Sequence, residues 1–431
     1  MIVRQYNVKQ GGEYSSRISL VDENIIPISP YTVIFLNNWI SQGAITSKKR
    51  TAYELRFFLL HLRHAKPDKD KYPDAPVGID IIQRALAGEF LTRAECKNFT
   101  DACRFKSEID VPDVIPLELH GNKALQHAIH SAKVSKIAID DQTKNGRLRT
   151  ALDFIECLYE EMHGKYRAPE FVKSNYIDVK HELESEKKIK NQKGKDASFE
   201  EYKIPPVIYL RLLEIINPDS PDNPFMHSKS RNFLIVQMIL ETGERRGAIN
   251  KLKISDCKFE GTGDTIRITR TPNDLDDKRR DKPAQKTQAH EAYVPPEIMT
   301  RLDDYIQHQR SRFTASEFHQ FVFIAEGDSK GTSGDPLSTK GINYIFKVLS
   351  KALGFKIHPH LARHKWNEIF SELTKDMSDA QADKLRKYSM GWNKSSNMVD
   401  VYNSFKHAVE VRELRRARQT EITSAGVNDA K

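Results

Sequence analysis

The sequence predicts a mainly α-helical protein with a small β-sheet, in which a helical N-terminal domain precedes an α+β C-terminal domain. In most segments apolar residues recur every three or four positions, as they do in amphipathic helices. Two short segments, Thr265–Thr271 and Glu291–Pro295, are instead typical of strands. Residues 181–203 are rich in charge and nearly free of apolar periodicity, which predicts a linker between the two domains.

Length, charge and cysteine content narrow the class of protein. The 431 residues are enough for two or three domains, and a hydrophobic content of 39% is enough to form buried cores. The chain has no run of about 18 apolar residues and its first residues lack the apolar core of a secretory signal, so we expect a cytoplasmic protein without a membrane partner. The four cysteines lack the pair spacing that zinc requires. A net charge of +9 suits a polyanionic partner without identifying one.

The N-terminal half begins with an arm or small strands, predicted over residues 1–28, and continues as a helical domain over residues 29–180. Ser29-Pro30 supplies an N-cap and a proline at the first helical position. The segment Ser47–His64 places its leucines and phenylalanines on one face of a helix and most of its lysines and arginines elsewhere. That charged face is either solvated only or also in contact with DNA phosphates, and the sequence leaves both open.

Two further helical patterns lie on either side of Gly88, and a stronger one follows over Gly146–Tyr166. Nothing in this half of the chain has the pattern of a catalytic site. The linker has a basic middle, Lys187–Lys195, which either lies along a duplex or is a solvated tether.

The second domain is predicted over residues 204–410. Arg231–Glu241 is apolar enough to be a buried helix, and Gly243 ends it. Arg245 begins another helix, and the two strands follow, separated by a long polar insertion. We then expect a helix in LDDYIQHQRSRF, a short strand in FVFIAEG and a helix in STKGINYIFKVLSKALG.

The stretch from His360 to Tyr402 concentrates the side chains that carry chemistry. It contains a His, an Arg and a second His within five residues, then a Gly-Trp pair, then Tyr402 ten residues after that Trp. A guanidinium, imidazoles and a phenol can hold a phosphodiester and attack it without a metal. Each of these residues is, taken singly, more often structural than catalytic, so the information lies in their order.

Five motifs follow one another in a characteristic order: TGERRGAINKLKISD (Thr242–Asp256), KT (Lys286-Thr287) ahead of YVPP, HLARH (His360–His364), MGW (Met390–Trp392) and Tyr402. This pattern resembles the tyrosine recombinases, the phage-integrase-like site-specific recombinases, over about residues 205–410. The N-terminal half resembles them in general organisation only. The resemblance implies a helical core-binding domain, which binds DNA, joined to an α+β catalytic domain that closes around duplex DNA.

The resemblance implies that two arginines and a lysine act on the scissile phosphate. Arg245 matches the family's first arginine and Arg363 its second, and two guanidinium groups can each donate two hydrogen bonds to the phosphate oxygens. Lys286 matches the hairpin lysine that protonates the departing 5′ oxygen. Lys282 is near enough in the sequence to occupy that place instead.

Three further residues complete the set that the resemblance implies. His360 matches the residue that accepts the tyrosine proton or holds the phosphate. Trp392 stands where most members have His, and its indole can brace the phosphate but cannot shuttle a proton. Tyr402 matches the nucleophile, which forms a 3′-phosphotyrosyl bond and releases a 5′ hydroxyl. No nucleotide cofactor and no metal is expected, in keeping with the absence from the sequence of a phosphate-binding glycine loop and of clustered carboxylates.

The resemblance thus implies a site-specific DNA recombinase of integrase or transposase type, encoded by a bacterial or phage mobile genetic element and associated with the nucleoid. Its expected partners are double-stranded recombination sites, three further copies of itself in a tetrameric synapse, and accessory DNA-bending or directionality factors. The alternatives are a DNA-binding protein that keeps the fold without the chemistry and a type IB topoisomerase-like strand relaxase. Residues 411–431 are predicted to form a basic helix or tail, which either docks on a neighbouring protomer or is solvated. Ala248 and Ala362 depart from the Glu and Leu that many members carry.

Overall fold

The computed structural model describes the chain with gaps, and it divides the chain into two compact units, Met1–Gly194 and Lys195–Lys431. The described residues are 1–10, 13–40, 44–105, 138–187, 203–261, 264–271, 274, 276–279, 282–283, 285, 287–328, 331–396 and 398–399. Outside them lie Lys286, Tyr402, residues 188–195 of the basic linker segment and the predicted basic helix over 411–431.

In the part of the chain that the structure describes, the first unit joins a β-hairpin to six helices. Strands β1 (Ile2–Gln10) and β2 (Glu13–Val21) pair antiparallel, with Ile2 opposite Val21. The helices that follow are α1 (Pro30–Ile34), which runs on through a π-helical turn (Phe35–Trp39), α2 (Ile45–His64), α3 (Ile81–Leu86), α4 (Arg93–Ala102), α5 (Asp141–His163) and α6 (Glu170–Ser185).

Local signals set where these helices begin. The Ser29 hydroxyl accepts a hydrogen bond from the Tyr31 amide, with Pro30 in the first turn, as predicted. In the core, the rings of Phe58 and Phe99 meet edge to face with centroids 4.9 Å apart. Helix α6 ends at Ser185, whereas the sequence predicts that the linker begins at residue 181. The helix is longer because its apolar periodicity continues to Leu183, which is fully buried.

The described residues of the second unit form seven α-helices, which pack around a three-stranded antiparallel sheet with strand order β3-β4-β5. The helices are α7 (Pro206–Ile216), α8 (Lys229–Thr242), α9 (Arg246–Lys251), α10 (Pro296–Asp304), α11 (Thr339–Leu353), α12 (Pro359–Leu373) and α13 (Asp379–Ser389). The strands are β3 (Cys257–Lys258), β4 (Thr265–Ile268) and β5 (His290–Tyr293). Helix α10 continues through a π-helical turn (Tyr305–Gln309) and a 3-10 turn (Arg310–Arg312).

The structure confirms the predicted fold class, mainly α with small sheets, and corrects one element. The strand predicted over Phe321–Gly327 is wrong: the segment makes two isolated bridges, from Phe321 to Lys253 and from Ile324 to Pro336. The side chains from 321 to 324 are all at most 1% exposed. A continuous apolar run therefore signals burial here rather than the pairing of a strand.

Helix α8 is the centre of the second unit. It packs against α10 and α12, and every side chain from Leu234 to Leu240 is buried. None of the described helices is both long and apolar enough to cross a membrane, α8 included. Because α8 is enclosed, the turn at its C-terminal end lies inside the unit, where the predicted site residues begin.

Candidate active site

The turn that ends α8 places Arg245. Gly243 caps the helix in the left-handed conformation, with φ of 64°, as the sequence predicts. The Glu244 amide donates to the Thr242 hydroxyl at 3.2 Å, which tightens the turn. Arg245 then has an extended backbone and is the N-cap residue of α9, so its half-buried side chain leaves the chain between two helices.

Arg363 lies in the second turn of α12 and is 1% exposed. Its Nη1 donates to the carbonyl oxygen of Gly243 at 2.5 Å, which joins α12 to the turn of Arg245. Among the described residues its buried Nη2 has no hydrogen-bond acceptor. The guanidinium of Arg363 is therefore held, through Nη1, at the turn that presents Arg245.

Three histidines occupy the start of α12. The ring of His358 caps the helix by accepting from the Leu361 amide at 3.1 Å, and the rings of His360 and His364 meet edge to face at 4.5 Å. Partial burial lowers the pKa of His360, and the charges of Arg363, His358 and Arg245 lower it further. The fields of both arginines therefore reach this ring, which is neutral near pH 7 and able to accept a proton.

Trp392 and Met390 close the other side of the arginine. They are 6% and 0% exposed, and the indole ring centre lies 5.9 Å from the guanidinium carbon of Arg363. Between them Gly391 has φ of 60°, and its carbonyl oxygen accepts from the Gln288 amide at 2.9 Å. The Met390–Trp392 turn is thereby fixed to the segment that leads into β5.

The structure describes one of the two candidate lysines, Lys282. Lys286 lies outside the described residues. Lys282 is 4% exposed, and its ammonium donates to the carbonyl oxygen of Asp274 at 3.2 Å. The Lys282 ammonium is thus bound to the backbone of its own hairpin.

Sequence reasoning missed a buried pair beside these residues. Glu244 is 0% exposed, and its Oε1 lies 2.8 Å from Nε2 of His290, the first residue of β5. The sequence does contain one signal, a glutamate directly before Arg245 in the turn that ends a buried helix. An acidic residue in such a place needs a partner, because acidic residues are almost never fully buried unless they are paired. Nothing in the sequence identified its partner 46 residues later.

We expect Gly243→Ala to lower the free energy of unfolding of the second unit by about 2–4 kcal/mol. A Cβ at this position would lie 2.6 Å from Cδ2 of Trp366, a rigid ring, and 2.5 Å from Cε of Met390. The left-handed backbone conformation adds its own cost for any residue with a side chain. Denaturant unfolding of the purified variant measures the loss.

Gly354→Ala is the matched control for that variant. Gly354 caps α11 with φ of 60°, and a Cβ there would meet nothing within 4 Å. It should therefore cost only the conformational part, about 1–2 kcal/mol. Equal losses in the two variants would show that close packing between the turn and α12 is not what requires a glycine at position 243.

Comparison with known proteins agrees with the sequence motifs. Residues 210–407 match the sequence model of the phage integrase family. Three similar solved structures are the XerA recombinase (14% identity, 90% of this chain and 98% of that chain, TM-score 0.34), the Tn1549 transposon integrase in complex with transposon right end DNA (13%, 70% and 96%, 0.37) and a lambda integrase dimer bound to a COC′ core site (14%, 78% and 92%, 0.32). At these TM-scores the structural likenesses carry no argument of their own. No curated protein matches the chain.

Proposed function

Residues 210–407 form a domain of the phage integrase family, the tyrosine recombinases, and from that premise we propose that the protein is a site-specific DNA recombinase. One observation carries the proposal. The buried guanidinium of Arg363 is bound to the turn that presents Arg245, and the charges of both arginines reach His360. Two cations and a neutral imidazole at one site are suited to bind a phosphodiester while a proton is removed beside it.

The reaction is a transesterification in which no group is oxidised or reduced. Arg245 and Arg363 hold the non-bridging oxygens of the scissile phosphate and follow their charge into the pentavalent transition state. The phenol oxygen of Tyr402 forms a bond to phosphorus, and its proton passes to His360. The bond from phosphorus to the 5′ oxygen breaks, and Lys286 protonates that oxygen.

The product is a 3′-phosphotyrosyl bond and a free 5′ hydroxyl. Attack by the 5′ hydroxyl of another strand reverses the chemistry and joins new partners. No nucleotide is needed because the phosphodiester energy is conserved, and in this proposal Arg245, Arg363 and Lys286 supply the positive charge that a metal supplies in other phosphoryl transfers. Trp392 braces the site by packing beside Arg363 rather than by moving protons. The substrate is duplex DNA, held by four protomers on two sites with accessory DNA-bending or directionality factors, and the protein acts in the cytoplasm at the nucleoid.

A nicked suicide duplex tests this function. The duplex carries the DNA that flanks the protein's own gene, and the nick releases a short fragment after cleavage, which prevents religation. We expect a covalent protein–DNA adduct without added metal or nucleotide, attached at Tyr402 when the peptide is mapped. Tyr388, which is 69% exposed at the end of α13, is the alternative attachment point that the mapping separates. Absence of any adduct from all duplexes spanning that DNA would overturn the proposed function.

A further inference from the structure

The buried pair of Glu244 and His290 joins the turn of Arg245 to the hairpin that precedes β5. The carboxylate is fully buried and the imidazole side chain is 5% exposed, with Oε1 and Nε2 2.8 Å apart. The second carboxylate oxygen of Glu244 faces the side-chain amide of Gln285 at 3.4 Å, and that amide also donates to the Thr287 hydroxyl at 2.6 Å. Gln285 and Thr287 are the sequence neighbours of Lys286 on either side.

The same imidazole contacts a third segment, the turn that carries Trp392. A Cβ at Gly391 would lie 2.4 Å from Nδ1 of His290 and 2.9 Å from the carbonyl oxygen of Gln288. That carbonyl is also the acceptor for Nδ1, at 3.0 Å. The ring is therefore enclosed between the turn of Arg245, the hairpin and the Gly391 turn, and a movement of any one of them disturbs it.

Both ring nitrogens of His290 face oxygen acceptors, and only the doubly protonated ring can donate to both. Burial lowers the pKa of His290, but the hydrogen bond and charge of Glu244 outweigh it and the net pKa is raised. The charged groups whose fields reach the ring are Glu244, from the turn, and Arg363, from α12, which opposes the rise. The pair is thus an imidazolium bound to a carboxylate at and somewhat above the ordinary pKa of histidine.

We propose that Glu244 and His290 are positioning residues for strand cleavage, which fix Gln285, Thr287 and the start of β5 to the turn that presents Arg245. The inference rests on the proposed function. A buried ion pair contributes little net stability compared with apolar residues of similar size, so its value here lies in holding two chain segments in register. A shift of about 1 Å between catalytic groups is enough to slow a reaction by about 100-fold.

Single-turnover cleavage of the nicked duplex tests the pair in the full-length protein. We expect His290→Leu and Glu244→Gln to slow adduct formation by the folded protein by about 10–100-fold while DNA affinity changes little. His290→Leu should also lower the melting temperature, because it leaves the buried Glu244 carboxylate unpaired. His290→Gln keeps a neutral donor toward Glu244 and should recover part of the rate. Glu291→Gln is the matched control. Glu291 follows His290 on β5, and its replacement breaks a half-exposed ion pair with Lys258 of β3, so this variant should cleave at the wild-type rate.

The pH profile separates positioning from a general structural role. Because the folded pKa of His290 is raised, the charged pair persists below that pKa and is lost as the pH rises through it. The ratio of wild-type to His290→Gln rates should therefore be largest below the ordinary pKa of histidine and shrink as the pH rises through the raised folded pKa.

Three outcomes would overturn the inference. Wild-type rates in both His290→Leu and Glu244→Gln would show that the pair positions nothing. A loss of rate that is fully explained by loss of folded protein or of DNA binding would show that the pair has only a structural role. If His290→Leu does not fold, the same comparison is made with His290→Gln. Failure of the wild-type protein itself to form an adduct would overturn the proposed function and, with it, this inference. The wild-type protein is measured before any variant, so this failure is distinguished from a failure of the inference alone.

Discussion

Tyr402→Phe is expected to bind recombination-site DNA with unchanged affinity and to form no covalent adduct. The substitution removes only the phenol oxygen, which is the atom that forms the bond to phosphorus. We expect the rate of adduct formation to fall by at least about 10³-fold, since loss of a nucleophile leaves only what substrate binding and charge stabilisation supply. Denaturing electrophoresis of the protein with a labelled nicked duplex measures the adduct, and a mobility shift measures binding.

Tyr388→Phe is the matched control for that experiment. Tyr388 is an exposed phenol in the same part of the sequence, but it precedes the Met390–Trp392 turn instead of following it. Its variant should form the adduct at the wild-type rate. A phosphotyrosyl species that persists in Tyr402→Phe would contradict the assignment of the nucleophile, and its loss in Tyr388→Phe would identify the residue that replaces it.

Features set by neighbouring residues were predictable from the sequence. The N-cap at Ser29, the glycine that ends α8 at position 243 and the helix start at Arg245 each depend on contacts within a few residues. The family motifs added the order of the site residues, and residues 210–407 match the model of the family that these motifs predict. Local chemistry and motif order together thus indicated both the fold class and the family.

Contacts between distant segments were not predictable in the same way. The hydrogen bond from Arg363 to Gly243 joins residues 120 positions apart. Glu244 meets its imidazole only because the end of α8 and the start of β5 lie side by side. Burial of Lys282 likewise depends on how the hairpin folds back on Asp274. The sequence shows which residues have side chains capable of chemistry. Tertiary packing decides which of those side chains are already bound to other groups of the protein.

Arg363→Lys is expected to keep the fold and DNA binding but to lose about 10²–10³-fold in the rate of cleavage. In the structure Nη1 of Arg363 donates to the carbonyl oxygen of Gly243, and Nη2 is buried without an acceptor among the described residues. An ammonium is a single point charge on a flexible stem, so it can satisfy the carbonyl or the phosphate but cannot reproduce the planar fork. Single-turnover cleavage, measured beside thermal unfolding, separates the chemical loss from any loss of stability.

Arg386→Lys supplies the comparison that makes this result specific. Arg386 is 2% exposed, its Nη2 donates to the Ser371 hydroxyl at 2.8 Å, and its guanidinium carbon lies 5.2 Å from the ring centre of Phe370. It is a buried arginine of the same unit that links α13 to α12 away from the predicted phosphate. Both variants should lose comparable stability, because each buries an ammonium in place of a guanidinium, yet only Arg363→Lys should lose cleavage in the folded protein. Near-normal cleavage in Arg363→Lys would show that a charge at this position is sufficient and that the fork is not what the reaction uses.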